Sequence, residues 1–334
     1  MRGPFVFQTN IRTLTLAVQS GTTRPVVWGM RMDIKSIVMG VAFAFMWASA
    51  FTTTRIIVTA APPLTALVMR FSASAVIAIL LGFALGQSLK LTRVEWRAVI
   101  LFGICQNALY LGLNWIAMQH VEASAASIIA SMMPLIVAFF GWLFMGDKLR
   151  PTAWIGLIVG IIGVAIIMGV RLQHGLHIPG LILCLIGAVA LAVATLTARG
   201  AGGSRNMMMI VGLQMAIGAA ALAIPAAVSE WGRPITWSTE LVLAFAYTMI
   251  VPGIIATWIW FMLVARIGAV RASTYHFLSP FFGVTVAALA LGERFGASDI
   301  IGALIVAAGI LMVQLSKLPA QASNSRAQAI DGRD

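Results

Sequence analysis

Polar side chains inside long apolar runs are the residues of this sequence whose types and spacing could do chemistry. In the run 98–118, Asn107, Tyr110 and Asn114 follow the spacing i, i+3, i+7, so they share one face of a helix. An aromatic hydroxyl and two amides on one face could orient a zwitterion or a polar small molecule by hydrogen bonds. The same amides could instead hold two neighbouring helices together. The sequence leaves both interpretations open.

His276 is the only histidine well inside an apolar run, where Tyr275 precedes it and Ser279 lies about one helical turn further on. Histidine can change protonation near neutral pH. His276 is therefore a candidate for proton coupling or solute contact, and a buried structural histidine is the alternative.

Tryptophans in two other apolar runs could line a cavity for aromatic or apolar solutes. Trp47 lies with Ser49 in the first run, and Trp258 and Trp260 lie in the eighth. Side chains two residues apart on an α-helix point about 200° apart, so only one of the latter pair can face a central cavity, and we predict Trp258. Trp115, near the end of its run, is predicted to anchor at the lipid interface. The candidate substrate-binding residues are therefore Trp47, Ser49, Asn107, Tyr110, Asn114, Trp258, Tyr275, His276 and Ser279.

Two prolines occupy matching places in the fourth and ninth apolar runs. Pro134 and Pro280 cannot donate a backbone hydrogen bond, so each interrupts the helix that contains it. We predict that they are structural helix breakers that produce kinks. The alternative is that they leave carbonyl groups exposed at a cavity.

Charged side chains inside the apolar runs are limited to Arg55 and Arg70. Both are predicted to lie near the outer ends of their helices and to reach water by snorkelling, although they could also attract an anionic group of a solute. All ten Asp and Glu residues lie in tails, loops or the ends of runs. This pattern argues against a carboxylate proton relay, and no P-loop or HExxH motif occurs. The sequence therefore predicts no enzyme activity, no cofactor and no metal site.

The composition indicates that these side chains lie in a membrane. Of the 334 residues, 60% are hydrophobic and 10% are charged, whereas soluble domains have about 25% charged residues. Apolar runs of about 20 residues, long enough to cross a bilayer as helices, recur along the chain. We predict ten spans, at 36–59, 64–86, 98–118, 122–145, 152–170, 180–199, 207–228, 241–265, 271–291 and 298–316.

Loop charges predict the orientation of these spans. With the N-terminus inside, seventeen Lys and Arg residues lie on the inner side and three on the outer side, as the positive-inside rule requires. Both termini of this multi-pass inner-membrane protein are therefore predicted to be cytoplasmic. The Lys and Arg residues that orient the helices account for the net charge of +12. No nucleic-acid partner is therefore expected.

The two ends of the chain are polar and are predicted to be cytoplasmic tails. Residues 1–35 are expected to be disordered, and translation could start at Met1, Met30 or Met32. Residues 317–334 are also expected to be unfolded.

The chain repeats itself. Shifted by 146 residues, the region 121–170 matches 267–316 without a gap, and earlier in each half the offset is 144. Each half holds five predicted helices, an odd number, so the halves insert with opposite orientations, as in many secondary transporters. The matched pairs include Ser127 with Ser273, Pro134 with Pro280, Gly146-Asp147-Lys148 with Gly292-Glu293-Arg294, Gly156 with Gly302, and Gly163 with Gly309.

These blocks resemble a known family. The runs Trp47-Ala48-Ser49-Ala50-Phe51, Pro62-Pro63-Leu64-Thr65 and Arg70-Phe71 are similar to the opening of EamA-type members of the drug/metabolite transporter (DMT) superfamily. The repeated blocks resemble the twofold signature of that family. The resemblance covers residues 36–316 and implies two inverted five-helix halves that export or take up small metabolites. One departure is Leu191-Ala192-Val193-Ala194, where the family often carries a tryptophan, and this departure predicts an enlarged cavity.

Together, these patterns predict an all-α membrane protein of ten transmembrane helices in two inverted repeats, 36–170 and 180–316. The predicted function is transport by alternating access, with export of amino acids, their derivatives or similar metabolites. A membrane-embedded enzyme or a lipid-binding scaffold is the alternative, and a channel is a third possibility. The expected partners are a small-molecule substrate and the lipid bilayer, and a homodimer is allowed.

Overall fold

The computed structural model describes residues 34–145, 149–173, 177–197, 204–267, 272–293 and 296–331. The predicted N-terminal tail up to Asp33, as well as Asp147, Lys148 and Arg294, lies outside these residues. Ten successive helical segments are formed by the described part of the chain. They are α1 (Ile34–Ala60), α2 (Pro63–Ala84), α3 (Arg93–Ala117), α4 (Ala123–Ser131 continued by Met133–Met145), α5 (Pro151–Gln173), α6 (Ile178–Thr197), α7 (Met207–Glu230), α8 (Thr239–Ile267), α9 (Thr274–Leu278 continued by Ser279–Leu291) and α10 (Ala297–Asp331).

Seven of the described helices, α1 to α4 and α6 to α8, are long and apolar enough to cross a membrane. The other three contain shorter apolar stretches, at Pro151–Ile167, Tyr275–Leu291 and Ala297–Val313. Large apolar side chains such as those of Leu80 and Val228 are more than half exposed on the outside of the bundle. Such a surface suits contact with lipid rather than with water.

Two helix ends differ from the sequence expectation. The Thr92 hydroxyl accepts a hydrogen bond from the Glu95 N–H (3.2 Å), and the Thr92 N–H donates to the Glu95 carboxylate (2.7 Å). This capping box starts α3 at Arg93, earlier than the predicted start at 98. At the other end of the chain, α10 continues to Asp331, so the prediction of an unfolded tail from Lys317 is wrong for the described residues.

Helices at equivalent places in the two halves of the chain pack against each other. The α2 helix packs along α7, and α5 packs along α10. The contacts of α1 with α8 and α9 are repeated by those of α6 with α3 and α4. These helix pairs therefore exchange with one another when α1–α5 are exchanged with α6–α10.

Glycines at matched repeat positions allow α5 and α10 to approach closely. A Cβ atom at Gly156 would lie 2.7 Å from the carbonyl oxygen of Gly309, and one at Gly163 would lie 2.8 Å from that of Gly302. Only glycine fits such a contact, as in other close pairs of membrane helices. Because the repeat matches Gly156 with Gly302 and Gly163 with Gly309, the two contacts exchange when the halves are exchanged.

Side chains at the end of one helix cap the start of its partner in the other half. Glu230 ends α7, and its carboxylate accepts hydrogen bonds from the N–H groups of Leu64 (3.0 Å) and Thr65 (2.7 Å) at the start of α2. Gln87 follows α2, and its side-chain oxygen accepts from the N–H of Met209 (3.0 Å) near the start of α7. These contacts satisfy N–H groups that have no partner inside their own helix and fix α2 against α7 at both ends.

Glu293 has a similar role at the start of α4. Its carboxylate accepts hydrogen bonds from the N–H groups of Ala123 (2.9 Å) and Ser124 (3.2 Å). Glu293, which belongs to one of the matched blocks of the repeat, therefore joins the two halves of the chain.

Candidate functional site

A partly enclosed cavity lies among α1, α2, α3, α6, α7, α8 and α9. The volume of the cavity is about 60 Å³. One water molecule needs roughly 10–15 Å³ on the same measure. The cavity can therefore hold a few waters or part of a small solute. Its aromatic lining is Phe43, Trp47, Phe51, Phe71, Phe102, Tyr110, Trp115 and Trp260, and its polar lining is Thr54, Arg70, Gln106, Asn107, Asn114, Thr195, Thr257 and His276.

Two π-helical segments lie beside this cavity. The α3 helix is π-helical over Gly103–Leu111, and α8 is π-helical over Met249–Ile255. The two segments occupy equivalent places in the sequence repeat. A π turn shifts the angular position of the residues that follow it, and such turns are frequent at functional sites. Asn107 and Tyr110 in the first segment and Gly253 in the second all line the cavity.

Equivalent positions of the two halves line the cavity together. At the offset of 144 the lining pairs are Trp47 with Leu191, Phe51 with Thr195, and Phe71 with Met215; at the offset of 146 they are Gln106 with Pro252, Asn107 with Gly253, Leu111 with Thr257, and Asn114 with Trp260. Matched positions of the two halves therefore contribute jointly to one cavity.

Aromatic rings surround the histidine at one part of the lining. The ring of Trp47 stacks on that of Tyr110, with centroids 6.0 Å apart and planes 6° apart. The His276 ring meets the rings of Phe43, Trp47 and Trp260 at centroid distances of 5.3, 5.5 and 5.3 Å. His276 is buried, and its Nδ1 atom has no hydrogen-bond partner among the described residues. This nitrogen therefore makes no hydrogen bond within the described structure.

The amides predicted to share a face have different partners. Asn107 donates its Nδ2 hydrogens to the side-chain oxygen (2.6 Å) and the carbonyl oxygen (2.9 Å) of Gln214, so it joins α3 to α7. In the described structure, the side-chain oxygen of Gln106 and the Nδ2 atom of Asn114 are buried without a partner. Asn107 thus has the helix-joining arrangement, whereas the lining residues Gln106 and Asn114 each keep a buried polar atom without a partner among the described residues.

Arg70 lies in the cavity wall rather than at the lipid surface. It is 5% exposed, and its Nε atom donates to the carbonyl oxygen of Thr248 at 3.2 Å. Its guanidinium carbon lies 5.2 Å from the ring centre of Phe71 and 5.7 Å from that of Trp115. The snorkelling prediction is wrong for Arg70, because α8 and two aromatic rings enclose it. The interface prediction is also wrong for Trp115, which is 1% exposed.

Arg55 differs from Arg70 in its surroundings. It is partly buried, its Nη1 atom donates to the carbonyl oxygen of Met118, and it is not among the lining residues of the cavity. Only one of the two intramembrane arginines therefore faces the cavity.

The choice of Trp258 over Trp260 is wrong. Trp258 is 39% exposed and lies outside the cavity lining, whereas Trp260 is 6% exposed and belongs to it. The π-helical segment of α8 precedes both residues. The direction of each side chain therefore cannot be predicted by counting 100° per residue from the start of α8.

Three other candidate residues are buried beside the cavity but do not line it. The Ser49 hydroxyl lies 2.8 Å from that of Tyr247 and joins α1 to α8. The ring of Tyr275 packs directly on α1. The carbonyl oxygen of Ser279 accepts a hydrogen bond from the Ser127 hydroxyl (3.2 Å), which joins α9 to α4.

The two prolines lie at interruptions of regular helix. Pro134 follows the break between Ala123–Ser131 and Met133–Met145, and Pro280 follows the 3-10 turn Thr274–Leu278. Neither proline belongs to the cavity lining.

Sequence reasoning left several lining residues out of the candidate set. The sequence shows that Gln106 and Arg70 are polar residues inside apolar runs, but it does not show that their side chains face the cavity. The repeat itself carried a usable signal, because the offset of 144 maps Trp47 onto Leu191 and Phe51 onto Thr195, and all four line the cavity.

The charged groups of the cavity are of one sign. Among the residues that the structure describes, no carboxylate belongs to its lining, and Arg70 is its one permanent cation. Within the described ranges, no group of three or more His, Cys, Asp or Glu side chains is placed to hold a metal ion.

Comparison with known proteins extends these observations. The model of the EamA-like transporter family matches the chain twice, over residues 34–169 and 178–315. A solved crystal structure with 19% sequence identity superimposes with a TM-score of 0.62 over 84% of this chain and 98% of that chain. At this identity the superposition shows a shared fold.

Curated relatives cover most of the chain. The uncharacterized transporter YvbV of Bacillus subtilis is 24% identical over 80% of this chain and 88% of its own length. The uncharacterized inner membrane transporter YedA of Escherichia coli K12 is 26% identical over 83% of this chain and 89% of its own length. Together with the apolar helices, these matches identify a multi-pass membrane protein with transporter function. The chain belongs to the EamA-like transporter family.

Proposed function

We propose that this protein exports small metabolites, such as amino acids or their derivatives, through the cavity between its two halves. The cavity lined by matched positions of the repeat is the observation that carries the proposal. A site on the axis between two related halves is where inverted-repeat transporters bind their solutes.

The chemistry of the lining supports a polar solute with an apolar part. The stacked rings of Trp47 and Tyr110 offer an apolar surface, and the polar side chains of Gln106 and Asn114 line the same cavity. A few polar groups in a largely apolar pocket orient a ligand and select it. Amino acids combine both features.

The mechanism we propose is alternating access between the halves 36–170 and 180–316, inserted in opposite orientations as ten membrane spans. Rocking one half against the other would open the cavity to each side of the bilayer in turn. The inner membrane, with both chain termini in the cytoplasm, is the proposed location. Its support is the excess of Lys and Arg in the segments on the proposed inner side.

Flux through reconstituted vesicles tests the function. Purified protein in liposomes, loaded with a panel of radiolabelled amino acids and their amides and esters, should give saturable efflux of at least one class above that of empty liposomes. Asn114→Leu should lower that efflux at least tenfold, because it removes a free polar group from the lining. Trp258→Ala, outside the lining, is the matched control. No efflux of any panel member from correctly folded protein would contradict the proposal.

A further inference from the structure

Arg70 is a buried cation that lacks a counterion. Its side chain is 5% exposed and lines the cavity. In the part of the chain that the structure describes, no carboxylate pairs with it, and no acceptor is bonded to its two terminal nitrogens. Burying a charge without a partner is costly, and buried charges in proteins are normally paired. Arg70 therefore stands where an anionic ligand would supply the missing partner.

The guanidinium is held in place by one of its five N–H groups. Pro252 has no N–H to donate to the carbonyl four residues earlier, which is that of Thr248. This carbonyl also accepts a hydrogen bond from Arg70 Nε at 3.2 Å. A Cβ atom at Gly253 would lie 3.4 Å from the Nη2 atom of Arg70, at van der Waals distance, so the guanidinium lies directly against the π segment of α8.

The equivalent position of the other half shows what helix packing alone requires. The repeat offset of 144 places Gln214 opposite Arg70. Gln214 also lies against the π segment of the facing helix, where Asn107 donates to it. A neutral amide thus serves for packing at this position in the second half. The positive charge in the first half exceeds that requirement and calls for a separate explanation.

We propose that Arg70 is the anion-binding group of the cavity and that the transported solute carries a carboxylate or a phosphate there. The planar guanidinium can form two parallel hydrogen bonds to either anion. The adjacent rings of Phe71 and Trp115 would contact the carbon skeleton next to the anionic group. This inference rests on the proposed transport function and adds the charge of the solute to it.

Binding of matched probes to the purified protein tests the inference without flux. The probes are phenylacetate, phenyl phosphate and phenylacetamide, which share an aromatic ring and differ in the charge of the attached group. Dissociation constants follow from the rise of the unfolding temperature with probe concentration, in a buffer without other carboxylates or phosphate. At least one anionic probe should bind ten or more times more tightly than phenylacetamide, since hydrogen bonds between charged groups contribute roughly ten- to a hundredfold in affinity. The tighter anion identifies carboxylate or phosphate as the preferred group.

Two arginine variants provide the comparison. Arg70→Gln should reduce the anion preference below threefold, whereas Arg55→Gln, at the arginine outside the lining, should retain it. If Arg70→Gln does not fold, Arg70→Lys replaces it. This variant should prefer the anionic probes over phenylacetamide, but less strongly than the wild type does. Equal binding of all three probes to the wild type, or an unchanged preference in the Arg70 variant, would overturn the inference.

The binding test separates this inference from the proposed function. If no amino acid is transported but the anion preference depends on Arg70, the proposed substrate class fails and the anion site stands. If amino acids are transported and the Arg70 variant keeps the preference of the wild type, the Arg70 assignment alone fails.

Discussion

At the scale of single residues, the cavity separates side chains that the sequence could not distinguish. Asn107 and Asn114 are both buried asparagines on one helix, yet Asn107 bonds to Gln214 and Asn114 keeps its Nδ2 atom free. The difference lies in what each side chain faces, on a helix far away in sequence. Residue type therefore identified the candidates, and their partners decide what each can do.

We expect Trp47 to contribute to solute binding and Trp258 to be dispensable. Trp47→Ala removes the ring that stacks on Tyr110 and meets the edge of His276. Stacking on such a ring contributes about 0.5–1.5 kcal/mol beyond its buried area, so KM for efflux should rise roughly tenfold. Trp258→Ala, on the exposed side of α8, should leave KM within twofold. Equal effects of the two substitutions would contradict the assignment of Trp47 to the solute site.

The hydrogen bonds between Asn107 and Gln214 should be measurable as a coupling energy. In a double-mutant cycle of Asn107→Ala and Gln214→Ala, measured by unfolding in mixed micelles, the coupling should be about 0.5–1.7 kcal/mol, the range of hydrogen bonds between membrane helices. The same cycle for Asn107 with Thr257, a lining residue on another helix, should give a value near zero. A coupling near zero for the first pair would remove the helix-joining role of Asn107.

At the scale of helices, irregular segments produce the shape of the site. The π segments of α3 and α8 lie at equivalent places in the two halves and carry cavity residues in both. Pro252 leaves the Thr248 carbonyl available to Arg70. The helices that pack through glycine, α5 and α10, contribute none of their described side chains to the lining. Irregular segments of α3, α8 and α9 thus contribute cavity residues alongside regular stretches of α1, α2, α6 and α7.

Widening the contact between α5 and α10 should destabilise the protein. A Cβ atom at Gly309 would lie 2.6 Å from the carbonyl oxygen of Gly156, so Gly309→Val forces the helices apart. Overpacking of this kind costs about 1–3 kcal/mol, and the unfolding temperature should fall by several degrees. Leu304→Val, on the half-exposed face of the same helix, should change it little. A stable Gly309→Val protein would show that the helices tolerate a wider separation.

At the scale of the whole molecule, the two halves are joined by reciprocal contacts. Glu230 and Glu293 of the second half cap helices of the first, and Gln87 of the first half caps a helix of the second. The glycine pairs of α5 and α10 exchange in the same way. These contacts lie at helix ends and between α5 and α10, and none of the residues that make them belongs to the cavity lining.

The proposed opposite insertion of the halves predicts the sidedness of two matched loops. With Cys105 and Cys184 replaced by serine, single cysteines at Lys148 and at Arg294 should react with a membrane-impermeant maleimide from opposite sides of the membrane. Lys148→Cys should react only after the cells are opened, and Arg294→Cys in intact spheroplasts. Labelling of both positions from one side would exclude the inverted arrangement and, with it, the proposed mechanism.

The sequence by itself determined the class of protein and its internal repeat. Apolar runs long enough to span lipid must be helical, because every backbone polar group has to find its partner within the segment, and the ungapped match of 121–170 with 267–316 required no structure to detect. Only the tertiary structure decided which polar residues meet. The rotation of each helix depends on π turns, on glycine contacts and on neighbours in the other half. For this reason Trp260, and not the predicted Trp258, lines the cavity. Arg70, expected to reach water at the membrane surface, lies enclosed in the wall of the cavity.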